Sequence, residues 1–347
     1  MNRPPLKMRR PAVLSLCFAL CLLPTGLDGK KKPKAVSAPA LPQMTPDQQI
    51  LHALNRLTFG ARPGDIEAMK QQGLDHWIDA QLQPETIPEN PLLEAKLAPL
   101  ETLRMSPAEM LQKYPARPMS KAVTGGQLPA PGSQIRNPAP RTPARELTEG
   151  KLLRAVYSNR QLDEVLTDFW YNHFNVDLDK GADRALVTSY ERDAIRPHVL
   201  GKFKDLLLAT AQSPAMLFYL DNWQSVGPDA RVNPNQKGRL GLNENYGREL
   251  MELHTLGVDG GYTQQDVTEV ARCFTGWTIK QPRRGGDFQF HARDHDQGEK
   301  RVLGVTIPAG GGMDDGLKVL DILARHPSTA RFIARNLAIR FVSDNPP

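Results

Sequence analysis

The densest group of ligand-type side chains in this 347-residue chain is the run His291-Ala292-Arg293-Asp294-His295-Asp296. Imidazole and carboxylate groups together suit zinc or another divalent ion, which makes His295 and Asp296 candidate metal ligands. The same residues also suit a solvated turn. A second group lies between Leu162 and Leu178. Advancing about 100° per residue along a helix puts Leu162, Val165, Leu166, Phe169, His173 and Val176 on one apolar stripe, with Trp170, Phe174 and Leu178 beside it. Asp168, Asn172 and Asn175 are left as a narrow polar strip. A helix apolar on most sides is expected to be buried, so that strip either faces an internal polar pocket with His173 beside it or forms a solvated edge beside a hydrogen-bonded core histidine.

Gly241 to Leu256 carries the third group. Tyr246, Leu250 and Leu253 share its apolar stripe, with His254 at the margin, while Glu244, Arg248 and Glu252 follow one another at i, i+4 and i+8 on the other face and Asn243, Asn245 and Glu249 stand nearby. Two carboxylates around an arginine suit a surface ion-pair ladder. The sharper reading makes Glu249, Glu252 and His254 ligands, but on a regular helix His254 points well away from both carboxylates. Taken together, His173, Glu249 and His295 are the candidate catalytic residues. They suit metal-assisted or acid/base hydrolysis, with His173 or His295 as base or ligand and Glu249 as acid or base. Asp168, Asn172, Asn243, Glu252 and His254 are the candidate substrate-binding residues. The catalytic reading requires His173, Glu249 and His295 to border one cavity; the rival, a non-catalytic scaffold or partner subunit, lets them point apart. GxSxG, HExxH, P-loop and paired CxxC signatures are all missing from the sequence.

The elements that must position these groups read as mainly α. Thr45-Pro46-Asp47-Gln48 and Ser106-Pro107-Ala108-Glu109 are helix-start signals, each with a capping hydroxyl, a proline at the first helical position and a capping-box partner three residues on. Thr263 to Asp266 starts another helix, and Gly257 suits a helix end. Helices are expected from about Gln161, through Tyr190 to Ile195, over Phe203 to Ala211, over Leu242 to Leu256, and from Thr329 to Val342. Trp277 to Ile307 alone looks like strand. Phe288 and Phe290 alternate with polar residues, and Val302, Val305 and Ile307 are expected to answer them in one small β-hairpin turning at Gln297-Gly298. Tyr114 to Pro143, rich in Pro and Gly, is expected to be a mobile loop.

Composition bounds the function class. Hydrophobic residues at 40% and charged residues at 24% fit an ordinary globular core. The net charge of +6 comes from the N-terminus: residues 1–34 hold eight Lys/Arg and one acid, which leaves 36 basic against 37 acidic residues from the totals of 44 and 38. The body is therefore not basic, and nucleic acid is not an expected partner. Met1 to Arg10 carries four positive charges, Pro11 to Leu23 is apolar, and Pro24-Thr25-Gly26 breaks the run, which is the pattern of a secretory signal peptide over residues 1–29. A run of thirteen residues is shorter than the roughly 20 needed to span a bilayer, so no transmembrane anchor is expected after cleavage. A disordered spacer over 30–44 and one mostly helical domain over 45–347 complete the expected organisation. Cleavage would leave Cys273 alone, and hence no internal disulfide. The expected location is periplasmic or extracellular.

Several segments resemble one bacterial family in order and in register. They include LNRLTFGARPGD (Leu54 to Asp65), LTDFWYNHFNV (Leu166 to Val176), SYERDAIRPHVLGKF (Ser189 to Phe203), SPAMLFYLDN (Ser213 to Asn222), the long run Gly241 to Arg272, FTGWTI (Phe274 to Ile279), His295 to Lys300, and HPSTARFIA (His326 to Ala334). The family is the one catalogued as domain of unknown function 1800. The resemblance implies an exported protein without an assigned activity, and a domain that continues past the equivalent of Pro347. It also implies an exported partner from the family catalogued as domain of unknown function 1501, which is similar to alkaline phosphatases and sulfatases.

Overall fold

The computed structural model describes residues 44–114, 142–178, 180–228, 241–281 and 286–346. The expected signal peptide, all of the spacer but Met44, and the body of the expected loop over Tyr114 to Pro143 lie outside these residues. The loop's last residue belongs to a helix instead: Thr142 caps it by accepting from the Arg145 amide, and Pro143 takes the first helical position.

Fourteen α-helices run through the described residues. The first five are α1 (Pro46–Leu57), α2 (Asp65–Gln72), α3 (Leu74–Gln81), α4 (Pro91–Leu97) and α5 (Pro107–Lys113). There follow α6 (Pro143–Tyr157), α7 (Gln161–His173), α8 (Asp183–Ser189), α9 (Phe203–Ala211), α10 (Pro214–Tyr219), α11 (Asn245–Glu252) and α12 (Gln264–Cys273), and α13 (Asp314–Arg325) and α14 (Pro327–Phe341) come last. The expected starts of α1, α5 and α12 all carry complete capping boxes, Thr45 with Gln48, Ser106 with Glu109 and Thr263 with Asp266. Each box satisfies two amides that a helix start otherwise leaves unpaired. The expected helix over Leu242 to Leu256 is shorter at both ends, and Gly257 lies beyond it at φ 82.

The segment expected as a plain helix from Tyr190 to Ile195 is a π-helical turn that continues α8 and passes into a 3-10 turn at Arg196–His198. Pro197 cannot donate to the ladder, and the wider turn redirects the chain before it.

The strands pair differently from the expectation. β1 (Trp277–Ile279) pairs antiparallel with β2 (Phe288–Phe290), Trp277 opposite Phe290, and β3 (Lys300–Val302) pairs with β4 (Val305–Ile307), Val302 opposite Val305. There are thus two small hairpins instead of one. Leu303 at φ 49 and Gly304 at φ 80 make the tight turn of the second, because a two-residue hairpin turn of this type needs two left-handed residues. Gln297-Gly298 is held elsewhere, where the Gly298 amide donates to Asp296 Oδ1 at 2.8 Å.

The main core gathers α6 to α14 and the hairpins around Phe174, Tyr190, Tyr246, Phe274 and Trp277, all fully buried. Burying each such side chain contributes roughly 1.5–3 kcal/mol before entropy is subtracted. Ile50, Leu54 and Met69 form a second, smaller cluster between α1 and α2.

Candidate functional site

The polar strip of α7 is longer than sequence spacing suggested. Glu164, four residues before Asp168, begins it, and the strip meets cations on α6 and on the turn after α8. Arg196 donates both terminal nitrogens to Glu164 at 3.0 and 2.8 Å, and its Nε to Glu191 Oε1 at 3.0 Å. Lys151 lies 3.3 Å from Glu191 Oε2, 3.7 Å from Asp168 Oδ1 and 4.0 Å from the centre of the Tyr171 ring. Burial works against charge on Glu191, yet Arg196 and Lys151 outweigh it and hold its carboxyl below the ordinary range. Asn172 closes the strip by donating to the Asp168 carbonyl at 3.0 Å.

His173, at the end of α7, borders an open pocket of about 540 Å³ between α1, α7 and α14, lined also by Asp168, Asn172, Arg56, Asn336 and Arg340. Its Nε2 stands 2.9 Å from the His254 carbonyl oxygen. A carbonyl only accepts, so Nε2 carries the proton and a neutral ring leaves Nδ1 as an acceptor. Burial lowers the His173 pKa, which keeps the ring neutral at pH 7, although the bond to His254 works the other way. Arg340 donates to the Arg56 carbonyl at 3.1 Å and has no carboxylate oxygen within 4.0 Å among the described residues. Burial, followed by repulsion from Arg56, lowers its pKa, with attraction to Asp168 opposing.

The other candidates disperse. Asn243 joins two loops, its side-chain amide donating to the Asp221 carbonyl at 3.1 Å. Glu252 accepts from the Tyr262 hydroxyl at 3.2 Å, while Arg248 pairs with Glu244 at 3.7 Å. Glu249 is half-buried, and its pKa is raised by burial and then by Glu252, with Arg248 opposing. His254 is buried against Phe174, with ring centres 5.1 Å apart, and burial lowers its pKa to about 3. Of these four, His254 alone is bonded to His173, through its carbonyl, and none of the four lines the pocket. Glu249 and His295 do not line that pocket.

His295 sits instead at the centre of a closed polar network. Its Nδ1 donates to the Thr275 carbonyl at 2.8 Å, and its Nε2 lies 3.1 Å from Asp315 Oδ2. Lys300, its side chain fully buried, reaches the same Asp315 oxygen at 2.6 Å and donates to the Asp296 carbonyl. Asp296 receives Arg272 at 2.7 and 3.2 Å, and Arg272 also holds Glu269 at 2.9 Å. The metal reading of His295 and Asp296 does not fit this arrangement. Both imidazole nitrogens and both carboxylate oxygens are engaged, with cations at the positions a metal would take. Among the described residues no group of three or more His, Cys, Asp or Glu side chains is placed to hold a metal ion.

Sequence reasoning missed Lys151, Arg154, Arg196, Arg340, Lys300 and Asp315. Glu164 at i−4 from Asp168 was a readable signal for extending the α7 strip; its partners on other elements follow only from the tertiary fold. A cavity of about 420 Å³ opens beside that strip, between α4, α6, α8 and the π-helical turn, lined by Lys151, Arg154, Thr188, Glu191 and Arg196 among others.

The family model for the protein of unknown function DUF1800 matches residues 52–347. The chain belongs to that family. No curated protein and no solved structure matches it.

Proposed function

We propose that this chain is an exported protein that binds an anionic extracytoplasmic substrate in the pocket between α1, α7 and α14 and hydrolyses it with His173 as general base. The observation that carries this reading is the pairing, in one open pocket, of a neutral imidazole whose Nε2 proton is fixed by the His254 carbonyl and a guanidinium, Arg340, without a carboxylate partner among the described residues. A neutral ring with an unprotonated Nδ1 can take a proton from an attacking water, and a guanidinium without a hydrogen-bonded carboxylate among the described residues favours a carboxylate, sulfate or phosphate on the substrate. Asp168 and Asn172, on the same wall, supply orienting contacts. Export rests on the basic start and short apolar run of residues 1–29. No helix among the described residues is long and apolar enough to cross a membrane.

A thermal-shift screen of carboxylates, sulfate esters and phosphate esters tests the reading. A ligand of this pocket raises the Tm of the wild-type chain and of Arg154→Leu but not of Arg340→Leu, and its turnover is lost in His173→Gln. A screen in which no stabilising ligand depends on Arg340, or turnover that persists in His173→Gln, would contradict it. N-terminal mass spectrometry from a native-type host tests export, where an intact Met1 on cytoplasmic protein would overturn it.

The second reading, a non-catalytic partner subunit of an exported assembly, is favoured by one observation. Leu152 and Val156 on the outer face of α6 are 62% and 55% exposed, apolar area of the kind a partner covers. The partner in that reading is the exported phosphatase- or sulfatase-like family suggested by the family resemblance.

A further inference from the structure

The cavity between α4, α6, α8 and the π-helical turn is bordered by charged groups that share their hydrogen bonds unevenly. Lys151, Arg154 and Arg196 lie among Glu164, Glu191 and Asp168, of which Glu164 and Glu191 are nearly buried. Arg196 takes the good hydrogen bonds of both carboxylates. Arg154 makes no hydrogen bond among the described residues, and its nearest carboxylate oxygen, on Glu164, is 3.9 Å away. Burial and the neighbouring Arg196 both act against its charge.

Two further groups point to a ligand. Thr188 lines the cavity and is 2% exposed, and its buried hydroxyl has no hydrogen-bond partner among the described residues. Glu191 Oε2, buried and 3.3 Å from the Lys151 ammonium, has no hydrogen bond aligned on it. Buried polar atoms are nearly always satisfied, and one left open costs free energy until something fills the position. Gly150 lets Leu103 pack against α6 at the cavity wall, since a Cβ there would stand 2.9 Å from a Leu103 methyl. The volume of about 420 Å³ is that of a small-molecule site.

We infer that this cavity binds a small hydroxylated oxyanion, its negative group received by Arg154, Lys151 and the Thr188 hydroxyl and one of its hydroxyls donating to Glu191 Oε2. The site is separate from the His173 pocket and does not depend on that pocket's chemistry. Lys151, which borders the cavity, lies 3.7 Å from Asp168 in the pocket wall.

Isothermal titration of the full chain with glucuronate and, separately, with inorganic phosphate tests the inference. Glucuronate, which offers both an oxyanion and hydroxyl donors, is expected to bind one to one and more tightly than phosphate. Arg154→Leu weakens it by about tenfold or more, the loss expected for a charged hydrogen bond. Thr188→Val separates a ligand site from a structural network. Removing an unpartnered buried hydroxyl raises the Tm of the free protein, while the same change weakens glucuronate binding severalfold. No binding of glucuronate at millimolar concentration, binding undiminished in Arg154→Leu or Thr188→Val, or phosphate bound more tightly than glucuronate would each overturn the proposal.

Discussion

The surroundings of His295 and of His173 differ in one respect that separates structure from chemistry. Around His295 the charged side chains are paired inside the fold: Lys300 meets Asp315, Arg272 meets Asp296 and Glu269, and the imidazole meets Thr275. Around His173 the matching is incomplete: Nδ1 is left as an acceptor and Arg340 lacks a carboxylate among the described residues. A buried ionic network with no open valence holds elements together and has nothing to offer a ligand. The opposite condition, polar groups held in place but not saturated, is what a binding site requires.

The sharpest break in the comparison is Lys300→Ala. It strands a buried Asp315 carboxylate and is expected to cost about 3–5 kcal/mol, read from the urea midpoint. A loss under roughly 1 kcal/mol would mean that the network is dispensable. Acid separates the regions next. His254 is neutral in the fold with a pKa near 3, below its value of about 6.5 in an unfolded chain. Above pH 6.5 neither state is protonated there, and as pH falls through the window from about 6.5 to 3 only the unfolded state takes the proton. Stability from this group is therefore lost on acidification, by about 1.4 kcal/mol per pH unit. His254→Leu should flatten that slope in denaturation curves measured between pH 7 and 4, and an unchanged slope would place the titration elsewhere. Removing the Thr263 hydroxyl of the α12 capping box, which sets the helix carrying Arg272, is expected to cost about 1 kcal/mol by thermal melting. The smallest change is Asp168→Asn. Asp168 is half exposed and 3.7 Å from Lys151, so stability should move by less than about 1 kcal/mol; a larger loss would make the α7 strip structural like the His295 network.

Helix starts were legible because a capping box is a local signature: Thr45, Ser106 and Thr263 each act within three residues of sequence. The burial of α7 followed from its apolar periodicity. The partner of its polar strip did not, because Lys151 and Arg196 arrive from other elements, and periodicity on one helix cannot choose between two other polar surfaces. Strand pairing failed for a related reason. The tight turn uses Leu303, which carries no turn signal, while Gln297-Gly298 looks like a turn and serves Asp296. The cluster at His295 is visible in the sequence as a concentration of ligand-type side chains. Its closure by Lys300 and Asp315 depended on a hairpin and a helix whose packing spacing alone does not reveal.

Acylation by diethyl pyrocarbonate, mapped by mass spectrometry on the folded chain, tests the contrast between the two histidines most directly, since the reagent attacks neutral, accessible imidazole nitrogens. His173, neutral and bordering the open pocket, should be modified along with His291, whose side chain is 38% exposed. His295, with a fully buried side chain and both nitrogens engaged, should stay unmodified until the chain unfolds. Modification of His295 as fast as His173, or a His173 that remains unmodified while His291 reacts, would contradict the assignment of the open site to α7 and the closed one to His295.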